Sequence, residues 1–185
     1  LSKQVNHDLK NIESKIHKAA GKEINLNSPK QGRELLFDTL QLTPQKKSGT
    51  GEVYSTDAQV LMILAKEHEI PLMLLAYREL YKLKSTYIDA LPEYINPKTE
   101  KIHTSWNQTL VATGRLSSSN PNMQNIPKDG LEFGKEYDVD VRSAFKAKRG
   151  WSFISADYSQ IELRVLAQLS KDKTLIDAFL HNKDI

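Results

Sequence analysis

The chain has 185 residues, of which 39% are hydrophobic and 26% are charged, a composition typical of a globular protein with one or two domains. It contains no cysteine, which excludes a disulfide scaffold, a cysteine-ligated zinc site, an iron–sulfur cluster and a cysteine nucleophile. No apolar run approaches the ~20 residues that span a bilayer, and the first ten residues lack a signal-peptide core. We therefore expect a soluble, intracellular chain.

The net charge of +3, from 26 basic and 23 acidic residues, is too balanced to indicate a nucleic-acid partner by itself. The distribution of charge is less even. Residues 101–128 and 141–156 contain no Asp or Glu, and an acidic connector, residues 128–141, lies between them. Charge alone favours a solvated surface over a binding surface and leaves both open.

The first third of the chain shows helical periodicity. Apolar residues recur at spacings of three and four, which places them on one helix face: Val5, Leu9, Ile12 and Ile16. Gly21 is the predicted stop of this helix. Ser28, Pro29 and Gln31 have the spacing of a capping box with proline at the first helical position, so they predict the start of a second helix.

Residues 44–51, which we call the tip loop, are basic and rich in glycine, and they predict a flexible segment that is neither helix nor strand. Thr56 and Gln59 have the spacing of a cap for a helix that ends before Pro71. A longer helix then runs to Pro92, with a predicted apolar face at Leu72, Leu75, Leu80, Leu83 and Tyr87.

The period changes after Pro92. Alternation around a turn at Asn96–Thr99 predicts a short hairpin that ends near Trp106. Residues 107–128 are polar and interrupted by glycine and proline, which predicts an extended loop with little regular structure. A loop of this length in a compact chain is usually functional or disordered.

Residues 151–156 are predicted to form a buried strand that leads directly into a helix with Ile161, Val165 and Leu169 on one face. Thr174 and Asp177 predict the cap of a final helix. Asp157 lies where the strand meets the helix, a suitable position for a magnesium ligand. Together with Gln160 it also has the spacing of a capping box, so position alone leaves both roles open.

Two sequence motifs favour the metal-ligand role of Asp157 over the capping role. Residues 112–127 read ATGRLSSSNPNMQNIP, and residues 157–164 read DYSQIELR. Both closely resemble the family A DNA polymerases, the bacterial DNA polymerase I family, and they occur in the family's order. Further matches in residues 25–31, 35–37, 77–80 and 83–87 extend the resemblance over nearly the whole chain.

The resemblance implies an α+β fold with a helical thumb subdomain, residues 1–92, followed by the first part of a palm subdomain, residues 93–185, which carries an antiparallel sheet with helices. It also implies primer-template DNA as a partner and favours a bacterial cytoplasm as the compartment, with a phage or organelle origin left open. The predicted contacts to the DNA backbone come from Lys46, Lys47 and Ser48 of the tip loop and from Arg78, Lys82, Lys84, Ser85 and Thr86.

Arg115 resembles the family arginine that enters the minor groove at the primer terminus, and Asn122, Gln124 and Asn125 resemble residues that contact the nearby duplex. Every base pair presents acceptors in the minor groove, so such donors can test pair geometry without reading sequence. An acid-free loop also avoids repelling the phosphates.

The second string implies the catalytic site of a nucleotidyltransferase. Asp157 and the backbone carbonyl of Tyr158 resemble ligands of Mg²⁺, of which two ions ~4 Å apart serve this reaction class. Ser159, Gln160, Ile161 and Glu162 resemble residues that line the site of the incoming deoxynucleoside triphosphate. Glu162 resembles the residue that crowds the 2′ position of the sugar.

The chain also departs from the family pattern. The finger helix and the second catalytic carboxylate would lie beyond Ile185, in the remainder of the polymerase, and the acidic connector is longer than the family norm. We therefore expect that these 185 residues alone do not polymerise DNA. The alternatives to a polymerase fragment are a non-catalytic module that binds duplex DNA and one half of a split polymerase.

Overall fold

Helices make up most of the regular structure in the computed structural model, which describes residues 1–49, 51–127, 131–137, 139–181 and 183. Thr50 of the tip loop and Lys128, Asp129 and Asp138 of the acidic connector lie outside the described residues. The α-helices are α1 (Ser2–Ala20), α2 (Pro29–Arg33), α3 (Ala58–Leu64), α4 (Ile70–Leu83), α5 (Ile161–Ser170) and α6 (Lys173–Leu180). Two π-helical segments, Glu34–Thr39 and Lys84–Ile88, continue α2 and α4, and 3-10 turns cover Leu91–Tyr94 and Arg142–Ala144.

Helix α1 buries the face that its periodicity predicts, and Val5, Leu9, Ile12 and Ile16 all belong to the hydrophobic core. Gly21 ends the helix with a φ of 69°, a left-handed conformation that suits glycine. Both predictions for this helix are confirmed.

The start of α2 forms only half of the predicted capping box. Ser28 Oγ accepts a hydrogen bond from the Gln31 backbone N at 3.4 Å. The Gln31 side chain does not return this contact, because the Ser28 N–H donates to the Asn25 carbonyl. Gln31 Oε1 instead accepts from the Asn25 N at 2.6 Å, which ties the preceding turn to the helix.

Helices α3 and α4 pack against each other and supply the centre of the core. The cap of α3 is Asp57 rather than the predicted Thr56, because the Asp57 carboxylate accepts from the Val60 N at 2.9 Å. Leu72 is exposed, contrary to the prediction. Other apolar residues of α4 form its buried face, and Leu72 lies outside this face. These buried residues are Ile70, Pro71, Leu74, Leu75, Ala76, Tyr77, Leu80 and Leu83.

Two antiparallel ribbons follow the helical region. Strands β1 (Ile95–Asn96) and β2 (Lys101–Ile102) form a hairpin at the predicted turn, but this hairpin ends at Ile102 and not near Trp106. Strands β3 (Ser105–Asn107) and β4 (Ser117–Ser119) form a second ribbon, in which Trp106 pairs with Ser118. The expectation of a loop with little regular structure was therefore wrong at β4, because serines without apolar alternation give no strand signal.

Residues 151–156 do not form the predicted buried strand. Their backbone pairs with no strand among the described residues, and Ile154 is 94% exposed. An apolar segment becomes a strand only where a neighbouring strand takes up its backbone hydrogen bonds. The next two helices are present as expected, but α6 is capped by Asp172, which accepts from the Leu175 N at 2.9 Å, and not by Thr174.

The contacts divide the chain into two units, Leu1–Phe145 and Lys146–Ile185. The hydrophobic core lies in the first unit and includes residues on both sides of Pro92, from Val5 to Val141. The boundary between thumb and palm at residue 92 remains a prediction. None of the described helices is long and apolar enough to cross a membrane.

Candidate nucleic-acid interface and catalytic turn

The described residues of the tip loop belong to no helix or strand, as predicted, although an isolated bridge pairs them with the residues that follow as a short hairpin. Lys47 pairs antiparallel with Tyr54, and the Ser48 N donates to the Val53 carbonyl at 2.7 Å. The Tyr54 ring packs edge-on against Phe37 with 5.5 Å between ring centroids, which fixes the hairpin to the π-helical segment 34–39. Lys46, Lys47 and Ser48 thus lie on an ordered backbone.

Lys46 is paired within the chain. Its Nζ lies 2.8 Å from Asp57 Oδ2, while Asp57 Oδ1 caps α3. Hydrogen bonds from Lys46, Val60 and Ser55 lower the pKa of the Asp57 carboxyl to about 2. The ammonium of Lys46 is therefore held beside the start of α3, whereas Lys47 is exposed.

Arg78 points into the protein. Its guanidinium donates to the backbone carbonyl and to Oγ1 of Thr56, the second of these at 3.2 Å. Burial lowers the pKa of Arg78. In this structure the side chain links α4 to the segment that enters α3.

The four predicted DNA contacts at the end of α4 differ in their surroundings. The Lys84 Nζ is paired with the Asp89 carboxylate, which also accepts from Ser2 Oγ at 2.9 Å. The hydrogen bond from Lys84, and to a smaller extent that from Ser2, lowers the pKa of Asp89. Lys82, Ser85 and Thr86 are exposed to solvent.

A network of hydroxyl groups shapes residues 120–127, which we call the amide loop. The Thr104 hydroxyl contacts Ser118 Oγ at 2.7 Å and donates to the Pro121 carbonyl at 2.7 Å. Ser118, a buried polar residue, accepts from the Met123 N at 3.0 Å. Ribbon β3–β4 therefore determines the path of the amide loop.

Hydrogen bonds between side chains and backbone groups hold the amide loop in place. Asn122 Oδ1 accepts from the Gln124 N at 3.0 Å, and Gln124 Nε2 donates to the Leu116 carbonyl at 3.1 Å. The Tyr87 hydroxyl donates to the Asn125 carbonyl, which joins the loop to π-helical segment 84–88.

The structure brings predicted DNA contacts from two distant parts of the chain to one surface. Thr86, Asn122 and Asn125 line the same open concavity of about 350 Å³. Its walls combine apolar residues such as Ala90 and Leu91 with hydroxyl and amide side chains, and these polar groups can contact a sugar-phosphate backbone by hydrogen bonds. Arg115 is exposed on the preceding loop, directly after Gly114, which has a φ of 78°.

The second unit carries the predicted catalytic string on a turn that leads into α5. The first turn of this helix has no side-chain cap, and its capping position is Gln160, whose backbone is left-handed with a φ of 51°. The capping role considered for Asp157 is therefore wrong. Asp157 and Tyr158 are exposed, and Glu162 lies in the first turn of α5.

Arg164 fixes the turn to both helices of this unit. Its Nε donates to the Ser159 carbonyl at 2.9 Å. Its guanidinium carbon also lies 4.6 Å from the centroid of the Phe179 ring on α6, within the range of a cation–π contact. The backbone beside Asp157 is thereby anchored by a side chain one helical turn further along.

Within the described ranges, no group of three or more His, Asp or Glu side chains could hold a metal ion. The donor types at the turn nevertheless suit Mg²⁺, which prefers carboxylate and carbonyl oxygens. Asp157 supplies an exposed carboxylate that no helix cap uses, and Tyr158 supplies a backbone carbonyl.

Sequence reasoning missed several residues that support these surfaces. Tyr87 and Ser118 hold the amide loop, and Arg142 and Glu79 contact segments far from them in sequence. Their partners lie between 5 and 55 residues away and are mostly backbone groups, so no local motif marks them.

A family model described as DNA polymerase family A matches residues 1–185. The chain belongs to DNA polymerase family A. Its relatives include the DNA polymerase I of Synechocystis sp., 46% identical over all of this chain and 18% of that protein. The thermostable DNA polymerase I of Thermus aquaticus is 48% identical over all of this chain and 22% of its own length.

The family A chain described here spans about a fifth of the length of these relatives. The DNA polymerase I of Borreliella burgdorferi gives the same proportion, with 52% identity over 96% of this chain and 19% of that protein. A solved structure, the POL domain of Pol1 from M. smegmatis in complex with DNA primer-template and dNTP, matches 99% of this chain and 31% of that chain. Its TM-score of 0.81 and identity of 39% confirm the α+β fold class.

Proposed function

We propose that this chain is the thumb and the first palm segment of a DNA-directed DNA polymerase. The complete enzyme extends a primer by magnesium-dependent nucleotidyl transfer from deoxynucleoside triphosphates. Membership in family A supports the reaction class. The match to a POL domain described with primer-template and dNTP supports the substrates.

The observation that carries this proposal is the state of Asp157. Its carboxylate is exposed at a turn whose helix has no side-chain cap, although a cap was the strongest structural explanation for an acid at this position. An acidic side chain without a structural task, on a turn anchored by Arg164, is suited to hold a cation.

Asp157 and the Tyr158 carbonyl would hold Mg²⁺ in the complete enzyme. When bound, the metal activates the primer hydroxyl and neutralises charge on the triphosphate. One carboxylate is too few for two ions, so the other ligands come from the remainder of the polymerase. The hydrogen bond from Arg164 to the Ser159 carbonyl anchors the backbone two residues after Asp157.

The nucleotide site, in our proposal, includes the residues that follow Asp157 on the turn and on the first turn of α5. Glu162 restricts the space beside the sugar 2′ position and so favours deoxyribose. The other members of this group are Ser159, Gln160 and Ile161. The left-handed conformation of Gln160 changes the direction of the chain between Asp157 and α5.

We use the name duplex grip for the residues proposed to bind the primer-template duplex. In our proposal they combine sequence-independent phosphate contacts with minor-groove contacts. The concavity that joins Thr86 to Asn122 and Asn125 supports this assignment, with Arg115 and Gln124 as further donors. The exposed Lys47, Lys82 and Ser85 remain proposed backbone contacts, together with Ser48. Lys46, Arg78 and Lys84 must exchange an internal partner for phosphate if they are to contact DNA.

The test is Asp157→Asn in the complete polymerase. Primer extension should fall by about a thousandfold or more, because charge stabilisation through a metal contributes several kcal/mol. Affinity for primer-template, measured in parallel, should stay within about twofold, because the change lies in the catalytic turn and not in the duplex grip. Asp177→Asn on α6 is the control, since it removes an exposed carboxylate from the same unit, and it should leave both properties unchanged because its ion pairs with His181 and Lys183 lie at the surface and contribute little.

Three outcomes would contradict the proposal. Near-normal extension by Asp157→Asn would remove the metal role. An equal loss of affinity and extension would assign Asp157 to folding. Duplex binding without extension by the unaltered complete protein would support the non-catalytic module instead.

A further inference from the structure

Glu79 on α4 forms an unusual contact with the acidic connector. Its Oε1 accepts a hydrogen bond from the Glu132 backbone N at 2.6 Å. Its Oε2 accepts from the backbone N of Phe133 at 2.9 Å and of Gly134 at 3.3 Å. A single partly buried carboxylate thus collects three consecutive N–H groups, an arrangement in which successive backbone dipoles bind one anion.

The connector packs closely around this contact. Leu131, Val139 and Val141 are buried in the hydrophobic core, so these described parts of the connector belong to the folded first unit despite the charge of the segment. A Cβ added to Gly134 would lie 3.1 Å from both Leu131 Cδ1 and Tyr137 Cδ2. The connector therefore has one closely fitted conformation at the residues that meet Glu79.

Arg142, the residue that directly follows the connector, reaches the amide loop. Arg142 Nε donates to the Pro127 carbonyl and Nη2 donates to the Ile126 carbonyl, both at 2.9 Å. Asp140 Oδ1 accepts from the Arg142 N at 2.8 Å and so orients the start of this turn. These contacts hold the last two residues of the amide loop from the connector side, while Tyr87 holds Asn125 from the helix side.

One cavity of about 570 Å³ is lined by Glu79, by the connector and by the amide loop. Glu79 lines it together with Thr86, Asn125 and Pro127, and Leu131, Val139 and Val141 complete the connector side. The carboxylate and the residues proposed to bind DNA therefore share a single wall of the molecule. A shift of the connector would change the support beneath the amide loop.

We propose that Glu79 is a positioning residue for the duplex grip: its carboxylate anchors the connector, and the connector, through Arg142, sets the position of the amide loop. This role rests on the proposed function, because the amide loop matters only if it contacts primer-template. It also gives the acidic connector a task, which its sequence does not reveal.

The proposal requires a carboxylate. Three N–H donors need three acceptor positions, which two ionised oxygens provide. A glutamine at residue 79 would turn its own amide N–H groups toward one or more of these donors. Glu79→Gln therefore removes the anchor with almost no change in volume.

The experiment compares Glu79→Gln with Glu132→Gln in the complete polymerase. Glu132 is an exposed connector residue whose backbone N meets Glu79, so its variant removes a charge at the same place and leaves the hydrogen bonds intact. Amide hydrogen exchange is followed over residues 131–137 and 122–127, and affinity for primer-template and kcat at saturating DNA are measured.

We expect Glu79→Gln to speed exchange in both segments by about tenfold, the change that corresponds to one lost charge-assisted hydrogen bond. Affinity for primer-template should fall several-fold, while kcat at saturating DNA stays within about twofold. Glu132→Gln should match the unaltered enzyme in all of these readouts.

Gly134→Ala provides a second route to the same displacement without altering charge, because its Cβ meets Leu131 and Tyr137. It should give the same exchange pattern and the same loss of affinity. Agreement of these two variants supports the proposal even if one of them is less stable.

Unchanged exchange in residues 122–127 for Glu79→Gln would overturn the link to the amide loop. Faster exchange with unchanged affinity would overturn the positioning role and leave a local structural contact. Failure of the unaltered enzyme to bind primer-template would instead contradict the proposed function, because exchange measures the link without DNA.

Discussion

Two basic side chains on neighbouring turns of α4 have different surroundings. The Arg78 guanidinium is bound to Thr56 and burial lowers its pKa, whereas Lys82 is exposed. Both belong to the set proposed to contact the DNA backbone. Because their environments differ, we expect their loss to change the salt dependence of duplex binding differently.

Lys82→Ala should reduce the dependence of duplex binding on salt. Loss of one phosphate contact lowers the slope of log affinity against log salt by about 0.9. Arg78→Ala should leave this slope unchanged and should instead speed hydrogen exchange in α3, because the bonds to Thr56 are lost. The two variants are compared by titrations at several salt concentrations, and an equal fall in slope for Arg78→Ala would show that Arg78 does reach phosphate.

Asp57 combines a helix cap with an ion pair. Its pKa of about 2 in the folded chain lies below the ordinary 3.8, so folding favours the ionised form. The stabilisation is complete above about pH 4 and is lost as the pH falls through about 2.

Asp57→Ala should therefore speed hydrogen exchange in the first turn of α3 at neutral pH, and the difference from the unaltered enzyme should shrink near pH 2. Asp57→Asn should resemble the unaltered enzyme at neutral pH, because asparagine also caps helices and exposed ion pairs contribute little. A large effect of Asp57→Asn would show that the ion pair with Lys46 outweighs the cap.

At the scale of elements, ribbon β3–β4 offers a matched pair of serines. Ser118 Oγ accepts from the Met123 N, whereas Ser117 Oγ is buried and has no hydrogen-bond partner among the described residues. The two hydroxyls are neighbours on one strand, yet only the first supports the amide loop.

Ser118→Ala should destabilise the amide loop by about 1–2 kcal/mol, because the Met123 N–H loses its acceptor in a partly buried site. Ser117→Ala should be neutral or slightly stabilising, since it removes a polar group that is buried without a partner. Native-state hydrogen exchange of residues 120–127 measures both local opening free energies. A larger loss for Ser117→Ala would refute this assignment of the two hydroxyls.

Prediction from sequence succeeded where an element is determined by its own residues. The apolar spacing in α1, the stop at Gly21 and the hairpin turn at Asn96–Thr99 all depend on local chemistry. It failed where a distant partner decides the outcome. Residues 151–156 have the composition of a buried strand but meet no partner strand in the described ranges, and Glu79 finds its three donors more than 50 residues away.

The catalytic string was predictable for a different reason. Its identity came from resemblance, while its local chemistry left Asp157 balanced between a cap and a metal ligand. The structure removed the cap by placing Gln160 at the start of α5, since a left-handed backbone there moves Asp157 out of capping position. The metal role itself remains a proposal.

On the scale of the whole molecule, the two units differ in how completely they bury apolar surface. The unit Leu1–Phe145 contains the hydrophobic core, whereas Ala167 is the one buried hydrophobic residue of the described second unit. Trp151, at 74% exposed, and Leu169, at 76%, remain open to solvent. In the proposed enzyme, the remainder of the polymerase would cover this surface.

Residues 1–145 should therefore fold cooperatively when expressed alone, and residues 146–185 should not. The second segment has 40 residues, which is at the lower limit of ~40 residues for chains that fold without metals or disulfides, and its described part buries one hydrophobic side chain. Thermal unfolding followed by circular dichroism tests both segments. A sharp transition in residues 146–185 alone would show that this unit is stable without a covering surface.

The π-helical segment Lys84–Ile88 limits where relatives of this chain can tolerate insertions and deletions. Its wider turn lets Tyr87 reach the Asn125 carbonyl while Leu83, just before it, stays buried. Deleting one residue here would replace the wider turn by an ordinary helical one and would remove the geometry from which Tyr87 reaches the Asn125 carbonyl. Insertions and deletions among relatives should therefore collect at the exposed end of the tip loop, near Gly51, and be absent from residues 84–88.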